Sequence, residues 1–562
     1  MPASSYVRGL DTPPLLNETI GQRFASAVRQ WPEREALVVR HQNVRWTYRE
    51  LARRAENFAA GLLSLGLQPG DRLGIWSPNN SEWVLTQFAS ALAGLILVTV
   101  NPAYQTVELR HALRKSGCKA LVLAPGFKTS NYFQSLRELA PELALSEVDN
   151  FHSEQLPDLR CVINLGPTAE TGMLHFADVS AKADASHLAQ LKQLSSKLQC
   201  RDPINIQFTS GTTGAPKGAT LTHHNILNNA FFVGRAMGLR EGDRLCIPVP
   251  LYHCFGMVMS TLACVAHGAT MVFPSEGFDP LAVLETVIAE KCTALHGVPT
   301  MFIAEMEHPS FRKFDLSSLR AGIMAGSPCP IEVMKRVMDS MHIRDITIAY
   351  GMTETSPVSF QSATDDPIER RVSTVGRVQP HLEVKIINTE GEVVPRGAHG
   401  ELLTRGYSVM SGYWDDPEQT ASAIDRDGWM HTGDLATIDD DGYCNIVGRI
   451  KDMVIRGGEN VYPREVEEFL FSHPKIEAAQ VVGLPDKKYG EELCAWIKLR
   501  SGETMTAEEV RDFCTGRIAH FKIPRHVCFV QEFPMTVTGK VQKFLIRKFM
   551  IERLGLKEEK TA

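Results

Sequence analysis

Between residues 18 and 60 the apolar and polar positions read as an entry helix, a short strand pair and a helix over 47–63. Thr47 with Glu50 three residues on is a capping-box signature for that helix. From Asp71 onward strand and helix patterns alternate: a strand at 72–75, a helix at 82–93, a strand at 95–100, a helix at 106–116 and a strand at 120–123. The alternation predicts parallel sheets covered by helices. Residues 140–200 are less patterned and more polar. The alternation resumes with a strand at 244–248, a helix at 257–266, strands at 270–273 and 294–297 around a helix at 280–291, and a strand–loop–helix–strand unit over 322–349. From 375 to about 404 the chain is strand- and glycine-rich, which predicts a small β subdomain. After about residue 449 a compact α+β pattern of some 110 residues follows, long enough for a small domain of its own.

Composition narrows this picture. The chain has 562 residues, too many for one ordinary core, with 44% hydrophobic and 22% charged residues. The net charge, 59 − 65 = −6, provides no global basic field for nucleic acid or anionic membrane. Twelve cysteines are scattered without a C-x-x-C pair, which argues against zinc and for reduced thiols in a cytoplasmic setting. Residues 1–17 carry no secretory signal pattern. The apolar run at 84–100 contains Thr86, Gln87 and Ser90 and stops at Asn101-Pro102, so it reads as a core helix and buried strand and not as a transmembrane segment. Self-association into an oligomer is compatible with the pattern.

Candidate chemistry begins at Thr209-Ser210-Gly211-Thr212-Thr213-Gly214-Ala215-Pro216-Lys217-Gly218, a loop between two predicted strands. Its amides, hydroxyls and one ammonium can wrap an anion, and glycines permit close backbone approach. It is not a Walker A loop, since Pro216 falls where the second glycine belongs. Taken alone it is either a phosphate cradle or a Gly/Thr surface turn.

Tyr350-Gly351-Met352-Thr353-Glu354-Thr355 follows a strand, where ligands collect in open α/β sheets. An aromatic, a hydroxyl and a carboxylate there could cover a base and hold Mg²⁺, which needs few protein oxygens. Asp434 follows a glycine turn and either accepts from ribose hydroxyls or caps the turn. Arg449 and Lys451 lie where the composition changes and are either solvated linker charges or ligands of ribose and phosphate. Gly457 and Gly458 form a loop able to approach a ligand backbone, and Lys540 sits on a glycine turn near the C-terminus. His253 heads an apolar helix, where it either polarises an organic substrate or is a buried structural histidine.

These segments occur together, in order and at suitable separations. The chain resembles the adenylate-forming (AMP-binding) superfamily of acyl-CoA synthetases, luciferases and peptide-synthetase adenylation domains, from about residue 20 to 550. The resemblance is carried by residues 209–218, Tyr350 to Glu354, His431-Thr432-Gly433-Asp434, Gly448-Arg449 and Thr538-Gly539-Lys540. Pro32-Glu33-Arg34-Glu35-Ala36-Leu37, Asn101-Pro102-Ala103-Tyr104 and His296-Gly297-Val298-Pro299-Thr300-Met301-Phe302 resemble the medium-chain fatty acyl-CoA synthetases of the acyl-CoA synthetase family member 2 type.

The resemblance implies an α/β fold. A large N-terminal domain, 1–449, would hold two helix-covered sheets and a small β subdomain, joined by a hinge to a mobile α+β domain, 450–562. It implies a two-step ligase using Mg²⁺, with a fatty acid, ATP and coenzyme A as substrates. Thr209, Ser210, Gly211, Thr212, Thr213, Gly214, Ala215, Pro216 and Lys217 would hold phosphates, and the loop would close over ATP and be poorly ordered without it. Thr209 and Glu354 would share the metal; Thr353 would lie on the ATP side. Gly326, Ser327 and Tyr350 would line adenine, and Asp434 and Arg449 would bind ribose. Lys540 would act in the first step, Lys451 would be the hinge, and Gly457 and Gly458 would lie near coenzyme A. His253, with segments 231–232, 253–257, 298–302 and 323–325, would line the acyl site. The alternatives are an aryl-CoA ligase, or an adenylation enzyme loading a carrier protein. The second is disfavoured because no Asp occurs among His253-Cys254-Phe255-Gly256 to pair an amino-acid ammonium.

Overall fold

The computed structural model describes residues 3–145, 151–209, 216–457, 459–536 and 540–556. Two large sheets form most of the molecule. The first runs Leu174–His175, Cys161–Asn164, Cys118–Leu123, Arg72–Trp76, Ile96–Thr99, Pro203–Thr209, Lys217–Thr222, Gly412–Tyr413. It is parallel up to Pro203–Thr209 and antiparallel beyond. The second, nine-stranded, is parallel from Asp345–Gly351 through Ala321–Ala325, Ala294–Gly297, Arg244–Cys246 and Thr270–Phe273 to Glu35–Val39. A continuous core contains Leu73, Ile75 and Leu221 of one sheet and Leu37, Val39, Leu245 and Ile323 of the other, with Phe58, Phe88 and Leu227 from helices. Phe58 and Phe88 are fully buried. Truncating either to alanine would cost about 3–5 kcal/mol, the lost transfer free energy plus the cavity left behind.

An antiparallel sheet of five strands, Tyr6–Arg8, Leu382–Ile387, Gly400–Gly406, Met430–Ile438 and Cys444–Arg449, is the expected β subdomain. The last sheet joins Glu459–Val461, Val454–Arg456, Gly490–Leu499 and Ile476–Asp486, with His526–Phe529 alongside; no described strand from before residue 454 enters it. The architecture is therefore α/β with two helix-covered sheets, a β subdomain and a small α+β unit.

Local signals worked where they were strong. The helix Tyr48–Ser64 carries the reciprocal Thr47–Glu50 capping box, and Thr106–Ser116, Ala294–Gly297 and Ile331–Ser340 have the expected limits. Three readings need correction. The helix expected at 257–266 is a π-helix, Phe255–Leu262, that continues as the α-helix Ala263–His267. Ser260 donates its hydroxyl to the Phe255 carbonyl at 2.9 Å, supporting the wider turn. Residues 140–200 hold the strand Cys161–Asn164, buried in the first sheet, and the helices Phe176–Ala181 and Ala185–Ser195. Asp434 lies inside the strand Met430–Ile438 and not beyond a turn; Gly433 at φ +68° kinks that strand.

Candidate active site

The parallel strands Ala294–Gly297, Ala321–Ala325 and Asp345–Gly351 end side by side, with Ala325 in register with Ala349. Gly326 and Ser327 follow one strand, and Tyr350 closes its neighbour. Gly326 has φ +91°, and a Cβ there would lie 3.1 Å from Val298 Cγ1. The glycine therefore both turns the chain and leaves room beside Val298.

Tyr350 donates its hydroxyl to Asp434 Oδ2 at 2.6 Å. Arg449 Nε lies 3.1 Å from Asp434 Oδ1. Asp434 and Arg449 are direct cross-strand neighbours in the ladder between Met430–Ile438 and Cys444–Arg449. Burial raises the Asp434 pKa, and the Arg449 charge and the Tyr350 hydrogen bond oppose that rise. The result is a fixed, paired carboxylate beside a half-buried aromatic, suited to accepting from two adjacent hydroxyls.

The strands Pro203–Thr209 and Lys217–Thr222 pair antiparallel with Thr209 opposite Lys217, so the expected loop joins them as a hairpin. Thr209 donates its hydroxyl to Glu354 Oε1 at 3.1 Å, and Tyr413 donates to the same oxygen at 3.0 Å. Glu354 and Thr353 are buried in the short 3₁₀ segment Thr353–Thr355. The Lys217 ammonium bonds Gln419 Oε1 and lies 5.1 Å from the Tyr413 ring centroid. Pro216 places its carbonyl 2.9 Å from His111 Nε2. The Thr209 hydroxyl and Glu354 carboxylate form a hard-oxygen donor pair. Among the described residues no group of three or more His, Cys, Asp and Glu could hold a metal. A hydroxyl and a carboxylate oxygen are the donor types that suit Mg²⁺, which completes its shell from phosphate and water.

The Lys540 ammonium sits in a desolvated setting, although the residue as a whole is exposed. Desolvation and the Arg449 charge lower its pKa, and Glu354, Asp434 and Cys254 pull the other way. The groups whose charges act on the lysine belong to both halves of the site. Its backbone is held by Thr536, whose hydroxyl accepts from the Lys540 amide at 3.1 Å. His253 lies on the same side: burial, then the Lys540 charge, push its pKa down to about 3, so the ring is neutral at physiological pH. Its Nδ1 accepts from the Phe255 amide at 3.2 Å. Lys451, in the 3₁₀ segment Ile450–Asp452, has its pKa lowered by partial burial and by Arg449. Gly457, at φ +62°, donates its amide to the carbonyl of Tyr489, in the turn ahead of the strand Gly490–Leu499, at 2.8 Å.

Ser210, Gly211, Thr212, Thr213, Gly214, Ala215 and Gly458 lie outside the described residues, and with them the expectation that the loop is ordered by nucleotide. Of the acyl-site segments, Met257, Val298, Met301 and Ile323 share the main core, whereas Phe232 packs in a separate cluster with Leu382 and Tyr407. Tyr413 and Gln419 are absent from the expected set. Tyr413 is 59 residues from Glu354 in the chain; the pairing of Gly412–Tyr413 with Lys217–Thr222 and the Met410 amide, which donates to the Glu354 carbonyl at 2.9 Å, bring it there.

The AMP-binding enzyme family matches the chain over residues 24–414, and the AMP-binding enzyme C-terminal domain over 465–540. The chain is 50% identical to the medium-chain acyl-CoA ligase ACSF2, mitochondrial, of Danio rerio, over 98% of this chain and 92% of that protein. It is 49% identical to the putative acyl-CoA synthetase YngI of Bacillus subtilis, over 96% and 99%. Among solved structures it is similar to the anthranilate CoA ligase AuaEII in complex with anthranoyl-AMP, with a TM-score of 0.84, 26% identity, and 97% and 99% of the two chains covered. ATP-bound MatB from Rhodopseudomonas palustris gives a TM-score of 0.81 with 28% identity, over 95% and 99%.

Proposed function

We infer that this chain, which belongs to the AMP-binding family of adenylate-forming enzymes, is an ATP-dependent acid–thiol ligase acting on medium-chain fatty acids. In the first half-reaction a carboxylate oxygen attacks the α-phosphorus of ATP, the bond to pyrophosphate breaks, and acyl-AMP forms. In the second the thiol of coenzyme A loses its proton and attacks the acyl carbonyl, the bond to AMP breaks, and acyl-CoA forms.

The observation that carries this reading is the convergence of Lys540 with Glu354 and with the Asp434–Arg449 pair. A site that only bound nucleotide would have no use for a desolvated lysine on which the charges of Glu354, Asp434 and Arg449 all act. Asp434 and Arg449 hold ribose, with Tyr350, Gly326 and Ser327 along adenine. Thr209 to Lys217 grip the phosphates, and Thr353 supports that side. Thr209 and Glu354 would hold Mg²⁺, which when bound neutralises phosphate charge. Lys540 offsets the charge shared by the substrate carboxylate and the α-phosphate, a preorganised electrostatic contribution. Neutral His253 faces the acyl carboxylate end without adding charge there.

The same lysine would obstruct the thiol. Residues 450–562 therefore turn about Lys451 as a mobile domain against 1–449 and bring Gly457 and Gly458 to the pantetheine for the second step. The charges of Glu354, Asp434 and Arg449 that act on Lys540 support its part in the first half-reaction. The medium-chain preference is supported by relatives 46–50% identical that are named medium-chain acyl-CoA ligases. Among the described residues no helix is long and apolar enough to cross a membrane, and all twelve cysteines are free. Free thiols fit a reducing compartment such as the cytoplasm; the vertebrate relatives are named as mitochondrial.

Two measurements test the reading. ATP–pyrophosphate exchange should depend on added fatty acid, and acid-independent exchange would remove the first half-reaction. Coenzyme A ligation across short, medium and long straight-chain, branched and aryl acids should peak at medium chain length. A maximum on aryl acids would replace the fatty acid with the substrate class of the anthranilate ligase neighbour.

A further inference from the structure

Tyr413 sits on a two-residue strand, Gly412–Tyr413, that adds an edge to the first sheet beside the phosphate-side hairpin. Ala219 pairs with Tyr413 and Thr220 with Gly412, and the Trp414 amide donates to the Gly218 carbonyl at 2.7 Å. The Tyr413 amide donates to Thr420 Oγ1 at 2.9 Å. Its backbone is therefore tied to the sheet on one side and to the helix Pro417–Ala423 on the other.

From that position the side chain performs two tasks. Its hydroxyl donates to Glu354 Oε1, the oxygen that also accepts from Thr209. Two donors on one oxygen orient the carboxylate and leave Oε2 as the less engaged atom. Its ring lies under the Lys217 ammonium, which Gln419 anchors at the other end of the loop. Thr209 and Lys217 are the two ends of the hairpin, directly paired with each other. Tyr413 thus contacts the carboxylate bonded to one end and the cation at the other.

We propose that Tyr413 is a positioning residue that aligns Glu354 for a magnesium–phosphate group and ties both ends of the phosphate-side hairpin to that carboxylate. The proposal rests on the reading of Glu354 as a magnesium holder. Groups that orient a metal-holding carboxylate change metal affinity by about 10–100-fold when removed. Tyr413→Phe keeps the ring beneath Lys217 and the backbone pairing, and removes only the hydroxyl.

Calorimetric titration of the full chain with ATP, in Mg²⁺ and in EDTA, tests it. In Mg²⁺ we expect Tyr413→Phe to bind ATP about 10-fold more weakly, while in EDTA it matches the unaltered protein. In the Glu354→Gln background the same substitution should add less than about twofold, because the group it orients is gone. Thermal unfolding should stay within a few degrees, excluding a general loss of structure. Equal weakening in Mg²⁺ and EDTA, or no weakening in either, would overturn the role of Tyr413. If Glu354→Gln itself leaves the Mg²⁺ dependence unchanged, the assignment of Glu354 fails instead.

Discussion

The two halves of the candidate nucleotide site are built in different ways. On the ribose side Asp434 and Arg449 face each other across one rung of a ladder between sequential strands, and Tyr350 closes the pair. Strands only a few residues apart in the chain fix that geometry. On the phosphate side Thr209, Glu354, Tyr413 and Lys540 come from four distant parts of the chain, and Lys540 belongs to the unit that follows residue 450. A ladder holds its residues whenever the sheet is folded. A cluster assembled between separate units holds only while those units are docked. The ribose side should therefore serve both half-reactions, and the lysine only one.

The largest expected effect is on that lysine. Lys540→Ala should slow acyl-AMP formation about 10²–10³-fold, the size of losing one preorganised charge donor. Thioester formation from supplied acyl-AMP should change little. Rapid-quench measurement of the two half-reactions checks this, and equal loss in both would erase the contrast. Asp434→Ala should raise the KM for ATP about 10–100-fold, since hydrogen bonds to a charged acceptor contribute about 1.5–3 kcal/mol each. An unchanged KM would detach Asp434 from the ribose.

The pH profile sharpens the comparison further. Lysine is useful as the ammonium, present below its pKa, and here that pKa is lowered by desolvation and Arg449. Acyl-AMP formation should therefore fall as pH rises through a value below the usual lysine range, about 10.4. Thioester formation from supplied acyl-AMP should show no such limb, and Lys540→Arg should move the limb upward. An identical alkaline limb in both half-reactions would assign it to another group.

A carboxylate outside the site is the control. Glu305 is 1% exposed, and neither of its carboxyl oxygens has a hydrogen-bond partner among the described residues. Burial raises its pKa well above the ordinary value, so it folds protonated. The unfolded chain ionises near pH 4.3, so this group's contribution falls as pH rises from there toward the folded pKa. Glu305→Met should raise Tm by about 2 °C or more, with a larger gain at pH 8 than at pH 5, and leave both half-reactions unaltered. A gain independent of pH would mean that packing, not ionisation, limits the site.

Much of this was legible in the residue order. Alternating strands and helices specified the α/β sheets because burying one face of each element leaves few other arrangements. Motif residues that need a particular local backbone, such as the Thr209 hairpin and the Gly326 turn, were readable for the same reason. Other features carry no local mark. The π-helix Phe255–Leu262 replaces an α-helix of the same apolar pattern, because one extra residue per turn changes direction without changing composition. The strand Cys161–Asn164 lies in a stretch too polar overall to stand out. Tyr6–Arg8 becomes a strand only because Leu382–Ile387 offers an open edge.

What the residue order determined by itself is an inventory: most of the strands and helices, the hydroxyl- and glycine-rich hairpin, and the chemical types at Glu354, Asp434, Arg449 and Lys540. Those follow from local backbone preference and side-chain chemistry, which act over a few residues. What only the tertiary structure decided is who meets whom. Tyr413 reaches Glu354, Gln419 holds Lys217, and Lys540 comes under the charges of Arg449, Glu354 and Asp434, through sheet pairing and unit docking. Contacts between residues far apart in the chain depend on how whole elements pack, and no local window of residues contains that information.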